Sequence, residues 1–551
     1  MMRAAPLGRG LPLAVPVYLV GCVALIAAAG APFAYPLDDS YIQLAMTRTL
    51  AMAGVWGIEP STSAAASSTP LWIVLLAAVY KIWPTRWIEG FLYFPLALDA
   101  VFSVAVIYYW NRLLAHVPWR EAWLLLLWLA IPLSALTIIG MEHPAHILLV
   151  LMLAHLGAQM LASDRPPTGT QLVELGVVTL LAVGIRYESL FVAAPLMGLA
   201  LLRRRPRTLA VLAIAGAAPV LAFGAYWIGH GGWLLPNSLM LKGIQPGETK
   251  GVGSFVDSVL HNFVANLHST PSGKTVIALG LIAAGLALAQ WRRRRTIWDY
   301  RLIFAFVSLV ASGIEFAIAA LGWLYRYEAW LIALLGVSSI LLADALFAKR
   351  RGLLALVFGV LLVAVLPRAV IDNKETVEAV NDRRLEHVLI SQFIHDNYRG
   401  RSIALNDIGV AAYDGDAEIF DISGLGDNDP VRMFRQPGGY TAADVERLAN
   451  AKHAEIAVLQ LCWEVVERRL PRDWRLIGFW YEPRNVVFGS HDVGFYAITP
   501  GSDARLEAAL KSFKVPPSIE VVYPGPRPYD EAFKALVRKG CPKGENLDGV
   551  L

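Results

Sequence analysis

The sequence predicts a polytopic α-helical membrane protein of about eleven spans, followed by a soluble α/β domain on the outer side of the membrane. Three observations predict it. Of the 551 positions 56% are hydrophobic and 17% charged, against about 25% charged in an average soluble chain. Apolar runs near the roughly 20 residues needed to cross a bilayer recur at 11–31, 90–110, 121–140, 142–162, 207–229, 273–291, 300–322, 329–347 and 352–371. From residue 372 to residue 551 the chain is charged, rich in Gly and Pro, and without such a run.

Between the runs lie basic clusters: Arg3 and Arg9, Arg112 with Arg120, Arg203 to Arg207, Arg292 to Arg295, and Lys349 to Arg351. Short loops rich in Lys and Arg stay on the cytoplasmic side. Clusters split by apolar runs do not make a nucleic-acid surface, and the net charge of +4 does not ask for one. With the N-terminus inside, residues 32–69 form the first external loop and residues 1–371 the membrane domain. The clusters all fall inside if 70–86 ("PLWIVLLAAVYKIWPTR") does not cross fully and 171–202 is a hairpin of two short helices with Arg186 at its outer tip. A full span at 70–86 with a single span at 171–202 is the rival topology.

The elements follow in order. The first run has Arg3 and Arg9 before it but no small-residue cleavage site, so it is expected to stay as an uncleaved span. Two acids, Asp38 and Asp39, come next. Residues 40–54 ("SYIQLAMTRTLAMAG") fit a short amphipathic helix on the membrane surface, capped by Ser40, with Asp39 just before its start. An acid there stabilises the helix end by roughly 0.3–1 kcal/mol, which accounts for one acid and not for two. The polar segment "GIEPSTSAAASSTPLW" (57–72) has the length of a binding loop or lid, or of a plain linker. In the C-terminal domain (372–551) "RSIALNDIG", "EIAVLQL" and "FYAIT" read as strands, and "TAADVERLANAKHA" as a helix capped by Thr441. Cys22 lies in the first span. Cys462 and Cys541 lie in the C-terminal domain, where a disulfide and two free thiols are both open readings.

Five stretches carry a resemblance to the membrane-embedded GT-C glycosyltransferases, closest to the arabinofuranosyltransferase-like branch. "DDSYIQLAMTRTLAMAG…SSTPLW" resembles that branch's "DDAYI…G…TSPLW". "IIGMEHP" (138–144) resembles "SGLET", with Glu142-His143 in place of Glu-Thr, and "GIRYES" (184–189) resembles "TRPEG", with Tyr187 where the family often has Pro. "LLPNSLMLKG" (234–243) resembles "LPNTYYAK", and "NDIGVAAYDGDAEIFDISGL" (406–425) resembles part of the family's external domain. The resemblance implies a GT-C-like fold in the cytoplasmic membrane, with active site and C-terminal domain extracytoplasmic. It implies transfer of a sugar, with arabinofuranose as one candidate, from a polyprenyl-phosphate donor at the bilayer to a glycan, glycolipid or glycoprotein acceptor of the cell envelope. The matching motifs make Glu142, His143, Tyr187, Glu188 and Asn237 candidates for substrate binding.

The residues fit that chemistry independently. Glycosyl transfer needs a group that takes a proton from the acceptor hydroxyl, and cations that receive the departing phosphate. Asp38 or Asp39 is the candidate general base, and proximity lets one acid raise the pKa of the other. Lys242, Arg326 and Arg186 are the candidate phosphate ligands. Arg186 and Arg326 are flanked by apolar residues, and charges at membrane depth are functional candidates by default; local pairing of Arg186 with Glu188 or Glu142, and of Arg326 with Glu328, is the plain alternative. The residues single out no certain cofactor, and a divalent cation on Asp38 or Asp39 is the metal reading. Rival functions are a lipid or glycan transporter and a non-catalytic envelope assembly factor.

Overall fold

A computed structural model describes residues 11–242, 252–268, 271–319, 321–436, 439–462, 469–483, 485–487, 490–523 and 531–541. The architecture is a helical bundle with a small sheet domain at its C-terminal end. Among the described residues seven helices are long and apolar enough to cross a membrane: Glu89–Leu113, His143–Ala162, Pro206–Gly229, Pro271–Arg294, Tyr300–Ile318, Ala329–Phe347 and Arg351–Tyr398. The run at 121–140 becomes two helices, Arg120–Ala130 and Leu133–Ile139, bent by 41°. Pro132 lies at the break, where its missing N–H ends the helical ladder. Shorter apolar helices are Ala14–Ala29, Pro70–Ile82, Gly169–Ile185 and Tyr187–Leu202. Pro70–Ile82 has 13 residues, about 20 Å at 1.5 Å per residue, which is less than the roughly 30 Å of a hydrocarbon core. Residues 171–202 are broken into two helices at Arg186, which is extended at φ −151° and ψ 131°.

The last bundle helix does not stop where the composition changes. Residues 351–398 form one continuous helical rod of 48 residues, so position 372 falls inside it. No Gly or Pro stands between Arg368 and Tyr398 to end it. The rod leads into a six-stranded sheet of β1 (Ser402–Leu405), β2 (Glu418–Asp421), β3 (Ile456–Leu459), β4 (Arg475–Tyr481), β5 (Asp492–Ala497) and β6 (Glu520–Val522), in the order β2-β1-β3-β5-β4-β6. β1 is parallel to both β2 and β3; the pairs β3–β5, β4–β5 and β4–β6 are antiparallel. The three stretches read as strands are β1, β3 and β5. Thr441 caps the Ala442–Ala451 helix in a capping box with Asp444.

The period-two alternation of β1 divides its side chains between two cores. Ala404 joins Phe420, Leu448 and the joined pair Cys462–Cys541. Ile403 and Leu405 join Phe393 and Ile394 of the rod and, in the same cluster, Ile42, Ala45 and Met46 of the Asp38–Ala53 helix. That helix differs from the expectation of a membrane-surface helix capped by Ser40. It begins at Asp38, and Leu37, whose side chain makes no capping bond, holds the N-cap position. Ser40 Oγ donates instead to the Ile139 carbonyl at 2.6 Å. Ten of its residues are buried, Ile42 and Leu44 among them, because protein covers it on the side where lipid or water was expected. The polar segment that follows is also held: Ala64, Ala65 and Ala66 are buried, and Asn428 Nδ2 donates to Ser63 O at 2.9 Å.

Burial of acids in this domain gives a pH dependence. Burial pushes Asp421 and Asp492 up to about 7 and Glu482 up to about 8. Burial also pushes Glu59, which accepts from the Ile419 N–H, up to about 7. Each folded-state pKa lies above the unfolded value, so the folded state holds more protons between about pH 4 and pH 8. The contribution is fully present below the unfolded pKa values and is lost as pH rises through the folded ones. The thermal midpoint of the purified protein is expected to fall between pH 6 and pH 8.5, by roughly 2–4 °C per kcal/mol lost in a domain of this size. A midpoint that is flat or rising over that interval contradicts the assignment.

Candidate functional site

The two acids stand in the first turn of the Asp38–Ala53 helix. Successive residues on a helix point about 100° apart, so the pair separates. Asp38 faces the sheet domain. Its carboxylate accepts from the backbone N–H groups of Gly409 at 2.5 Å and Val410 at 3.1 Å, the first two residues of the Gly409–Asp414 helix. A Cβ at position 409 would stand 2.3 Å from the Asp38 carbonyl oxygen, so the close approach requires glycine there. Arg383 Nη1 lies 3.6 Å from Asp38 Oδ1. Burial, and then the neighbouring Asp407, push Asp38 up to about 8. One ligand atom each from Asp38, His387 and Asp407 lies within 4.8 Å of the others, a grouping able to hold a metal ion. Asp39 is not in that group.

Asp39 faces the bundle. Its Oδ2 accepts from Arg326 Nη2 at 2.8 Å, with 27% of the Asp39 side chain exposed and 1% of the Arg326 side chain. The same guanidinium donates to Tyr327 OH at 3.0 Å and lies 4.8 Å from the Tyr327 ring centroid. Arg186 stands 5.9 Å from that ring. Arg186 Nη1 donates to Glu142 Oε1 at 2.7 Å, and Nη2 donates to Glu188 Oε1. Gln43, four residues after Asp39 and so on the same helix face, donates to Glu142 Oε2 at 2.8 Å. His143 Nε2 is 3.9 Å from Glu142 Oε1. Asp39, Arg326, Arg186, Glu142, Glu188 and His143, singled out in separate motifs, therefore meet in one cluster.

Local pairing holds for Arg186 and fails for Arg326. Glu328 accepts from Arg368 Nη2 at 2.8 Å and from the Gly322 N–H at 2.9 Å. Arg368 also reaches Asp372 at 2.9 Å and the Tyr325 carbonyl at 2.6 Å. That network fixes the turn through Trp323, Leu324 and Tyr325, all at positive φ, and so aims Arg326 at Asp39. Asn237 stands elsewhere: its amide donates to Gly424 O at 3.1 Å and Asn428 Oδ1 at 3.0 Å, which ties the bundle to the sheet domain. Tyr187 is buried in the core beneath that domain. Lys242 ends the short Asn237–Lys242 helix, and its side chain lies outside the described residues.

Sequence reasoning missed Arg368, Asp372, Arg383, His387 and Asp407. The last belongs to a stretch that carries the family resemblance; the others are charges in a helix with no breaker. Residues 377–496 match the model of a family described as a domain of unknown function (DUF8728), a stretch that holds Arg383, His387 and Asp407 but neither Asp38 nor Asp39. A comparison with curated proteins finds no match.

Proposed function

We propose that the protein is a GT-C-type glycosyltransferase of the cytoplasmic membrane that moves a sugar from a polyprenyl-phosphate donor to an extracytoplasmic acceptor. The observation that carries the reading is the pairing of a part-exposed carboxylate, Asp39, with a buried guanidinium, Arg326. The pair offers a base that an acceptor hydroxyl can reach and, next to it, a cation for the leaving phosphate. In the reaction the acceptor oxygen bonds to the sugar's anomeric carbon, whose bond to the phosphate oxygen breaks. The hydroxyl proton passes to Asp39 and the electron pair leaves with the polyprenyl phosphate. Arriving phosphate draws Arg326 from Asp39 and so frees the base. Arg186 already carries two carboxylates and serves to position them.

The topology in this proposal counts eleven crossings: the seven long helices, the bent pair, and the short helices Ala14–Ala29, Gly169–Ile185 and Tyr187–Leu202. Basic loops then lie inside, and the first loop, the Arg326 turn and the sheet domain lie outside, where donors are lipid-linked.

The test is turnover of a polyprenyl-phosphate sugar by the purified protein in detergent, where a transporter has no gradient to use. Arg326→Ala is expected to weaken donor binding about tenfold or more, since a charge-assisted contact contributes roughly 1.5–3 kcal/mol. Unchanged donor affinity would put the phosphate site elsewhere.

A further inference from the structure

The sheet domain brings its own polar crevice to the first turn of the Asp38–Ala53 helix. β1 lies between β2 and β3, both parallel to it. The chain therefore leaves β1 toward one side of the sheet and later returns on the other. At such a switch point the carboxyl ends of the strands open a crevice that takes ligands. The residues there are Asn406 and Asp407 after β1 and Gln460 after β3. Asn406 Nδ2 donates to Gln460 O at 2.9 Å, and the Gln460 N–H donates to Asn406 Oδ1 at 3.0 Å. This pair sets the floor of the crevice. Gln460 Nε2 reaches Glu386 Oε1 at 3.2 Å. Asp407 Oδ2 is 2.6 Å from His387 Nε2. Asp38 closes the crevice from the bundle side.

The charges in the crevice do not balance. Asp38, Asp407 and Glu386 are carboxylates; Arg383 is the cation among them, 3.6 Å from Asp38 and 3.5 Å from Asp407. With all three acids ionised, these four groups carry a formal surplus of two negative charges. Asp38, Glu386, His387 and Arg383 are 6%, 5%, 4% and 2% exposed and the Asp407 side chain 16%, so water reaches these groups mainly at Asp407. Glu386 Oε2 has no hydrogen-bond partner among the described residues. One divalent cation matches a surplus of two.

We infer that Asp38, His387 and Asp407 bind a divalent first-row transition ion, Zn²⁺ or Mn²⁺, at the junction of the sheet domain and the helical bundle. The donor set is one imidazole nitrogen and two carboxylates. Imidazole with carboxylate suits these ions, whereas Ca²⁺ and Mg²⁺ favour oxygen-only sites. A carboxylate oxygen has two lone pairs, so Asp38 can keep its bonds to Gly409 and Val410 while it ligates. The three ligands come from the first external loop's helix, from the rod and from the end of β1. An ion here ties those elements together one residue away from Asp39. The site stands on the crevice and its charges, and ion binding is independent of whether the protein transfers sugar.

The experiment uses the purified full chain, stripped with chelator and titrated with MnCl₂ or ZnCl₂ alone by calorimetry. One equivalent is expected to bind. His387→Gln and Asp407→Asn are each expected to weaken binding by more than the roughly 10–100-fold that loss of an outer-shell partner costs, while Asp39→Asn binds as wild type does. Pulsed electron paramagnetic resonance of the Mn²⁺-loaded wild type should show coupling to an imidazole nitrogen, a readout that does not depend on any variant folding. Failure of the wild type to bind either ion, a bound Mn²⁺ without nitrogen coupling, or unchanged affinity in both ligand variants overturns the site. Each of these outcomes leaves sugar transfer to be judged by its own assay.

Discussion

Asp39→Asn is expected to lower the rate of sugar transfer by roughly a hundredfold or more, the usual size of a general-base contribution, and to leave the protein folded. Two features of the structure make the variant diagnostic. Asp39 is not the N-cap of its helix; Leu37 holds that position. An asparagine oxygen can still accept from Arg326 Nη2 and Tyr327 still faces the guanidinium, so the loss of stability is expected to stay below about 3–5 kcal/mol, the cost of a fully broken buried ion pair. A base that no longer competes with phosphate for Arg326 should also leave donor affinity unchanged or tighter. The expected signature is therefore a large fall in kcat with KM level or lower. Asp38→Asn should behave differently. Its amide can accept one of the two N–H groups of Gly409 and Val410 and must turn an NH₂ toward the other, so that variant loses stability of the domain contact. If Asp39→Asn transfers sugar at the wild-type rate, the mechanism proposed above is wrong.

The contrast between the two acids shows what can be read from sequence and what cannot. Apolar runs locate the bundle helices because burial in lipid or core needs little beyond composition and length. The break at Arg186 and the Thr441 cap are legible because a charge in an apolar run and a capping box are local signals. The divergence of Asp38 and Asp39 depends on where the helix begins. A start at Ser40 hides it, and a start at Asp38 forces it. The partner of Arg326 is not local at all. Glu328 stands two residues away in sequence, yet Arg368, forty residues on, takes it. Arg326 is left to Asp39, 287 residues away. Likewise the docking of the sheet domain on the Asp38–Ala53 helix rests on contacts such as Asp38 to Gly409, 371 residues apart. No periodicity in one segment can report such a contact. The unbroken rod was legible in principle from the lack of Gly and Pro after Arg368, but the change to charged residues is a stronger sequence cue than helix continuity.

The largest effect on stability is expected from Arg186→Met. Arg186 lies at the joint between Gly169–Ile185 and the helix beginning at Leu190. Its side chain is 7% exposed; its partners Glu142 and Glu188 are 0% and 15% exposed. Methionine fills much of the volume and removes the charge, which leaves two carboxylates without their cation. Breaking a buried ion pair by removing one partner costs about 3–5 kcal/mol, most of it the cost of the charge left behind. Gln43 still donates to Glu142 and softens the loss at that acid only. The cost should therefore be recoverable: Arg186→Met with Glu142→Gln and Glu188→Gln removes the stranded charges and is expected to restore most of the thermal midpoint. The triple variant should show strong non-additivity, because the three side chains form one network. Arg326→Ala behaves otherwise in this scheme: its effect falls on donor affinity, because Asp39 is part-exposed and water can solvate it once its partner is gone. The measurement is thermal unfolding and donor binding on the same purified variants. Wild-type stability with lost donor binding in Arg186→Met would transfer the phosphate-binding role to Arg186 and reverse the division between the two arginines.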